Sequence, residues 1–259
     1  MNKLKVVMLI CDGDSSRIIY HKLKDYCNIE CVVKEEAISN NILLKNRIKK
    51  LGFFKVLGQL IFMIFNKFLK FISQNRIQEI KNKYSLNTND VNQEYVVLVD
   101  DINNKEVEKI LQKINPDLVL VNGTRIIKKN ILLSINKPFV NTHVGITPRY
   151  RGVHGGYWAL SNNDKNNCGV TVHLIDEGID TGNILYQSLI EVTKEDNFNT
   201  YPYLQTVKAI QLLRNVLKDI ENSSLVSKKS IVDDSKLWYH PTIFEYFRNY
   251  FKFGVKYYL

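Results

Sequence analysis

Several signatures are missing from this chain of 259 residues, and each absence narrows the reading. No GxGxxG follows the first apolar run, which argues against a dinucleotide site of the usual kind. The N-terminus, MNKLKVVMLICDGD, lacks the apolar length and the small-residue cleavage site of a secretory signal. Only four cysteines are present, Cys11, Cys27, Cys31 and Cys168, with no CxxC pair and no nearby histidine cluster. A structural zinc site needs more ligands than these. The thiols are therefore read as reduced and buried in a cytoplasmic protein, and no metal is expected. No internal repeat is visible. The longest charge-free apolar run, VLGQLIFMIFN, falls short of the about 20 residues that cross a bilayer.

What is present is apolar and basic. Hydrophobic residues make up 45% of the chain, enough to fill a core rather than stay disordered. There are 36 basic and 26 acidic residues, a net charge of +10. Such a surplus favours anionic partners (nucleic acid, anionic lipid or phosphorylated small molecules) without choosing among them.

The segment KLKVVMLIC is a continuous apolar run of the kind that forms a buried parallel strand. Asp12 to Ser16 supplies a turn and a helix N-cap, and a helix to about Tyr26 and a second strand, IECVVK, follow. Three more strands are expected at 95–100, 117–123 and 138–144, with Asn103 or Asn104 capping the helix NKEVEKILQKI. The runs CGVTVHLID and GNILYQSLIEV read as strands joined by the turn EGIDTG, and 199–221 reads as a helix. Strands alternating with helices define an α/β class, with a mostly parallel twisted sheet, helices on both faces and a short C-terminal extension.

One segment is foreign to a minimal α/β domain. LGFFKVLGQLIFMIFNKFLKFI, residues 51–72, is rich in Phe, and Lys55, Gln59, Asn66, Lys70 and Ser73 form a narrow polar stripe at helical spacing. Three readings stay open: a helix packed on the domain or on a second subunit, a helix lying in a membrane surface, or a lid over the substrate. The aromatic, basic tail WYHPTIFEYFRNYFKFGVKYYL carries the same ambiguity. Together they favour a homodimer or a peripheral contact at the inner membrane face.

Chemistry concentrates in NTHVGITPRYRGVHGG, which follows the strand ending PFV. Open α/β sheets place their sites beyond the carboxyl ends of strands. Asn141 and His143, two apart on a strand, point to the same side. Asp180 lies in the turn after another strand, between Gly178 and Gly182. An Asn, a His and an Asp converging there would make an acid–base and oxyanion site. His173, in VTVHLID, is read instead as a satisfied structural histidine.

Asn-x-His, then Pro-x-Tyr-Arg-Gly, a Trp-Ala helix and GVTVHLIDEGIDTG together resemble the folate-dependent formyltransferases, most of all the sugar N-formyltransferases. The resemblance is clearest from about Asp117 to Glu191. It implies a Rossmann-like catalytic domain over 1–198 with a Phe-rich helical insertion at about 45–73, followed by a C-terminal helix and aromatic tail over 199–259. It implies 10-formyltetrahydrofolate as formyl donor and Asn141, His143 and Asp180 as the catalytic trio, with a protonated His143 whose pKa Asp180 raises. Thr124, Arg125 and Ile126 match the loop lining the pterin pocket, largely through backbone groups. Ile175, Asp176 and Gly178 belong to the segment that closes over it. The family commonly has Ser-Leu-Leu-Pro after the His; here it is Gly145-Ile146-Thr147-Pro148.

The resemblance implies that a nucleotide-linked amino sugar, destined for surface polysaccharide, is the acceptor. Arg17, Arg151, His154 and Tyr157 are candidate substrate contacts, with solvated or core roles as the competing reading. Only about sixty residues follow the catalytic core, which argues against tRNA, so no nucleic-acid partner is expected. Glycinamide ribonucleotide and methionyl-tRNA remain the alternative acceptors. A non-catalytic basic protein bound to membrane or nucleic acid is the alternative of another class.

Overall fold

The computed structural model describes residues 3–37, 39–229 and 234–253. The last six residues of the aromatic tail lie outside them. Five strands form the parallel body of the sheet: β1 (Lys5–Cys11), β2 (Asn28–Glu35), β3 (Val96–Val99), β4 (Leu118–Asn122) and β5 (Phe139–His143). Two antiparallel strands, labelled β7 (Gly169–Leu174) and β8 (Ile184–Leu189), extend it beyond β5. The order is β3-β2-β1-β4-β5-β7-β8, so the chain winds outward from β1 and then returns to its other side at β4. That reversal opens a crevice beyond the carboxyl ends of β1 and β4.

Both faces of the sheet are covered, which is why β1 and β4 read as unbroken apolar runs. Alternate residues of β1 go to opposite cores. Val6, Met8 and Ile10 pack with α1 (Asp14–Leu23) and the long helix α8 (Tyr201–Glu221). Val7 and Leu9 pack with Val107 and Leu111 of α5 (Lys105–Ile114) and Ile131 of α6 (Lys129–Leu132). Asn104 caps α5 by accepting from the Glu106 N–H at 3.3 Å. Asn103 instead accepts from the Lys128 N–H at 2.6 Å and donates to the Ile126 carbonyl. The expected side-chain cap of α1 does not form, because the Ser15 and Ser16 hydroxyls turn to Asn122 across the crevice.

The helical excursion between β2 and β3 is wider than 45–73. It comprises α2 (Asn40–Leu51), α3 (Phe53–Ile72) and α4 (Gln74–Lys83), with a bend of 60° between the last two. Of its polar stripe, Gln59, Asn66 and Ser73 face inward, whereas Lys55 and Lys70 are exposed. Gln59 and Ser73 are each 2% exposed. Gln59 donates to the His240 carbonyl at 2.7 Å, Ser73 exchanges hydrogen bonds with Asn197, and Asn66 accepts from Asn199 at 3.0 Å. Arg76 of α4 ends the seam with a two-pronged pair to the wholly buried Asp196. These inward side chains are thus the seam that fastens the excursion to the body, and the apolar residues opposite it are left outside.

The C-terminal segment is woven into the same core. Helix α7 (Gly155–Ser161) follows the two-residue strand β6 (Arg151–Gly152), which pairs with β9 (Leu237–Trp238). Trp238 stacks on Trp158, and Tyr246 of α9 (Ile243–Phe253) lies between Phe62, Phe65 and Tyr157. Described residues from 199–229 and 234–253 share one hydrophobic cluster with β1 and α1.

Candidate active site

Pairing between β5 and β7 sets Asn141 opposite His173. The loop after β7 carries Asp180 back over both. Its φ of 51° is a left-handed conformation that Asp tolerates better than most residues. Three side chains then meet Asp180. His143 Nδ1 lies 3.3 Å from Oδ2, His173 Nε2 lies 3.6 Å from Oδ1, and Asn141 Nδ2 lies 3.5 Å from Oδ1. The Gly152 N–H donates to Oδ2 at 2.9 Å.

Asn141 also lies 3.1 Å from His173 Nε2, and His173 Nδ1 lies 2.7 Å from the Leu174 carbonyl. That carbonyl requires a proton on Nδ1, and Nε2 faces both the Asn141 amide and Asp180 Oδ1. His173 is therefore satisfied, as a structural histidine should be, yet it borders the cleft and orients Asn141. Its role was hidden in the sequence because it depends on strand register. The seam Ser15/Ser16–Asn122–Thr142 was missed for the same reason. Asn122 accepts from Ser16 at 2.8 Å and donates to Thr142 at 2.6 Å, locking the ends of β4 and β5 to the start of α1.

The electrostatics differ from the expectation of a protonated His143. Burial pushes the His143 pKa below its ordinary value, outweighing the opposing pull of Asp180. Burial would raise Asp180, but His143, His173 and the Gly152 N–H outweigh it and hold the carboxyl at about 2. The resting pair is a carboxylate beside an imidazole pushed towards neutrality. His143 Nε2 is 2.6 Å from the Tyr150 carbonyl, which fixes its proton there.

Gly145, where the family commonly has Ser, has a steric reason. A Cβ there would strike the Tyr150 carbonyl oxygen and come within 2.8 Å of His143 Nε2. The absent side chain lets the loop fold back so that the Tyr150 carbonyl reaches the His143 ring.

The cleft above Asp180 has a volume of about 400 Å³. Thr124, Arg125, Ile126, Ile175 and Gly178 all line it. The Arg125 guanidinium points away, to the Asp100 carbonyl at 2.6 Å and to Glu35 and Asp101. Asp176 does not line the cleft; it accepts from the Gly178 N–H and Thr181 and so shapes the loop. The candidate substrate contacts are placed elsewhere. Arg17 is held by Asp12 and Asp90, and Arg151 by the Ile179 carbonyl. His154 is half-buried against Phe198 and hydrogen-bonded to His240, and Tyr157 is buried with its hydroxyl accepting from Asn249. Tyr157 is buried, the His154 ring is engaged by His240, and Arg17 is engaged by two carboxylates. Among the described residues no group of three or more His, Cys, Asp or Glu side chains could hold a metal ion.

Seen together, this is an α/β domain with an Asn–His–Asp constellation at the carboxyl end of its sheet. Residues 87–209 match the family model described as Formyl transferase. The chain is similar to the methionyl-tRNA formyltransferase of Caldicellulosiruptor saccharolyticus, 32% identical over 169 residues, covering 64% of this chain and 50% of the relative. The methionyl-tRNA formyltransferase of Finegoldia magna is 32% identical over 127 residues, covering 49% of this chain and 41% of the relative. The matched region thus spans half or less of these relatives. Among solved structures, phosphoribosylglycinamide formyltransferase from Anaplasma phagocytophilum superposes with a TM-score of 0.57 at 16% identity, covering 92% of this chain and all of that one. A 4-N formyltransferase from Francisella tularensis gives a TM-score of 0.55 at 17% identity, covering 90% and 76%. At such identities the structures establish the shared fold.

Proposed function

We propose that the chain transfers a formyl group from 10-formyltetrahydrofolate to the amine of a nucleotide-linked amino sugar. The convergence of Asn141, His143 and Asp180 at the floor of an open cleft carries this reading. The cleft fits the donor. Val121, Ile126, Ile127, Ile175 and Ile179 form apolar walls for a flat fused ring, and the loop 123–126 brings backbone polar groups to its edge.

When bound, the donor supplies an activated formyl carbon; the chain's own residues do the rest. Asn141 can exchange its long 3.5 Å contact to Asp180 for the formyl oxygen, where negative charge develops. The proton lost by the attacking amine goes to the Asp180–His143 pair, which titrates as a unit. Asp180 stabilises the imidazolium as it forms, and the Tyr150 carbonyl keeps the ring in place. As the new C–N bond forms, the bond from the formyl carbon to the donor nitrogen breaks, and that nitrogen takes up a proton.

A second pocket of about 320 Å³ supports the acceptor class. It shares Gly152, Val153 and Ile179 with the cleft and runs to Arg47 and Lys50 of α2 and to Trp238, Tyr239 and His240. Helix α2 contains no acidic residue, so Arg47 and Lys50 present cationic heads suited to a diphosphate. Tyr239, with Lys50 Nζ 5.4 Å from its ring centroid, offers a flat surface for a base.

The second reading is methionyl-tRNA. It is favoured by the curated relatives and by exposed Lys45, Lys49 and Lys50 on α2. The test is a panel of nucleotide-linked amino sugars, glycinamide ribonucleotide and methionyl-tRNA with 10-formyltetrahydrofolate, read by the mass gain of one formyl group. A gain on an amino sugar supports the proposal. A gain on tRNA alone, steeply reduced by salt, selects the second reading, and no gain on any amine with folate bound overturns both.

A further inference from the structure

We propose that the outer face of α3, joined by α9, docks this protein on an anionic lipid bilayer. The inward seam of α3 runs through Val56, Gln59, Phe62, Asn66, Leu69 and Ser73. On the opposite side Phe54, Leu57, Ile61, Ile64, Phe68 and Phe71 follow one another at spacings of three and four, and every one is exposed. Phe54 is 86%, Ile64 70% and Phe71 75% exposed. Soluble surfaces scatter such residues singly; here they form a stripe.

The stripe continues onto the second helix through a chain of rings. Phe68 lies 6.3 Å from Phe65, Phe65 lies 5.3 Å from Phe247, and Phe247 stacks on Phe251 at 6.3 Å. Phe244 and Phe251 of α9 are each 78% exposed. The result is a two-helix apolar platform held rigid from behind by the polar seam.

Charge decides the occupant. Residues 40–72 carry Lys45, Arg47, Lys49, Lys50, Lys55, Lys67 and Lys70 and no acidic residue. Lys55, Lys67 and Lys70 on α3, and Arg248 and Lys252 on α9, are exposed. A second copy packed here by two-fold symmetry would set like charges against like. An anionic headgroup layer complements them, while the Phe, Leu and Ile side chains enter the acyl boundary and the lysine stems reach back to the phosphates. Spanning is disfavoured by the fold. No single helix among the described residues is long and apolar enough to cross a membrane. The bent pair α3–α4, long enough together, has one side of α3 packed on the body and Arg76, Glu79, Lys81 and Lys83 in its second limb.

The test is flotation of the full chain with vesicles of phosphatidylcholine, alone or mixed with phosphatidylglycerol. Binding is expected to the mixed vesicles, at least tenfold weaker to phosphatidylcholine alone and weaker in high salt. The double variant Phe54→Glu/Phe68→Glu should lose vesicle binding at least tenfold while folate binding is unchanged. Because that variant could misfold, Phe71→Trp provides a conservative probe, whose fluorescence should shift to the blue and be quenched by brominated lipid. Overturning results are no binding to mixed vesicles, no quenching of Trp at position 71, or a dimer in solution that the double variant abolishes while vesicle binding is absent.

Discussion

The seam beneath α3 and the cleft above Asp180 are built from the same kinds of side chain: amides, hydroxyls, a histidine backbone or ring, and a buried aspartate. They differ in how fully those groups are used. In the seam the bonds are short and the partners mutual, with Gln59 to the His240 carbonyl at 2.7 Å, Asn197 to Ser73 at 3.0 Å and Arg76 to Asp196 at 3.0 Å. In the cleft Asp180 takes a 2.9 Å bond from the Gly152 N–H, but its side-chain neighbours stand at 3.3, 3.5 and 3.6 Å and border open space. Short saturated contacts contribute stability and have nothing left to offer a ligand. Long shared ones can be exchanged for bonds to a reacting molecule at little cost. Polar composition alone does not separate the two; geometry and access do.

Opposite responses to mutation would sharpen that contrast. Arg76→Met leaves Asp196 as an unpaired charge at 0% exposure, and removing one partner of a buried pair typically costs about 3–5 kcal/mol. Urea unfolding should show a loss of that order, with turnover per folded molecule retained. Asn141→Ala should do the reverse. Losing one oxyanion donor lowers kcat by about 100- to 1,000-fold, and the half-buried Asn141 side chain supports little of the core, so Tm should hardly move. If Asn141→Ala unfolded the protein but spared kcat, the cleft would be a second structural seam.

Gly145→Ser restores the residue common in the family and should damage both properties. The new Cβ meets the Tyr150 carbonyl and the His143 ring in a tightly packed loop. Overpacking of this kind costs about 1–3 kcal/mol, and displacing Tyr150 frees the histidine it holds at 2.6 Å. Denaturation and steady-state kinetics on one preparation would show the two losses together. Unchanged stability would mean that the loop has room the glycine does not need.

The sheet was legible in the sequence because β1 and β4, buried on both faces, carry the apolar runs VVMLI and LVLV, a strictly local signal. The convergence of Asn141, His143 and Asp180 was legible from their places at strand ends. What could not be read was decided by contacts between distant segments. His173 orients Asn141 only because β7 runs antiparallel to β5 in one particular register. The stripe on α3 was visible as a period, but nothing in the period told which side met protein. Asn197, Asn199 and Asp196, more than a hundred residues away, supplied the partners that turned it inward. The engagement of Arg17 by Asp90 and of His154 by His240 was hidden because those partners lie far along the chain.

The smallest expected effect lies where the two regions meet, at the histidine pair. His154 Nε2 is 2.9 Å from His240 Nδ1, and His240 both receives the seam through its carbonyl and lines the second pocket. Burial, with a lesser contribution from His240, lowers His154 from 6.5 to about 3; burial, with Arg47, lowers His240 to about 4. Both are neutral in the fold at pH values where the unfolded chain binds protons. Stability should therefore fall as pH drops below about 6.5, each group contributing a slope of up to about 1.4 kcal/mol per pH unit until its folded pKa is reached. Asp180, held at about 2, acts in a separate window, its contribution present above its ordinary value of 3.8 and lost as pH falls through about 2. His154→Asn removes one titrating ring and tolerates the left-handed φ of 58° at that position. Unfolding free energies measured between pH 6.5 and 4.5 should then show a shallower slope than the parent chain, and an unchanged slope would place a proton on this pair in the folded protein.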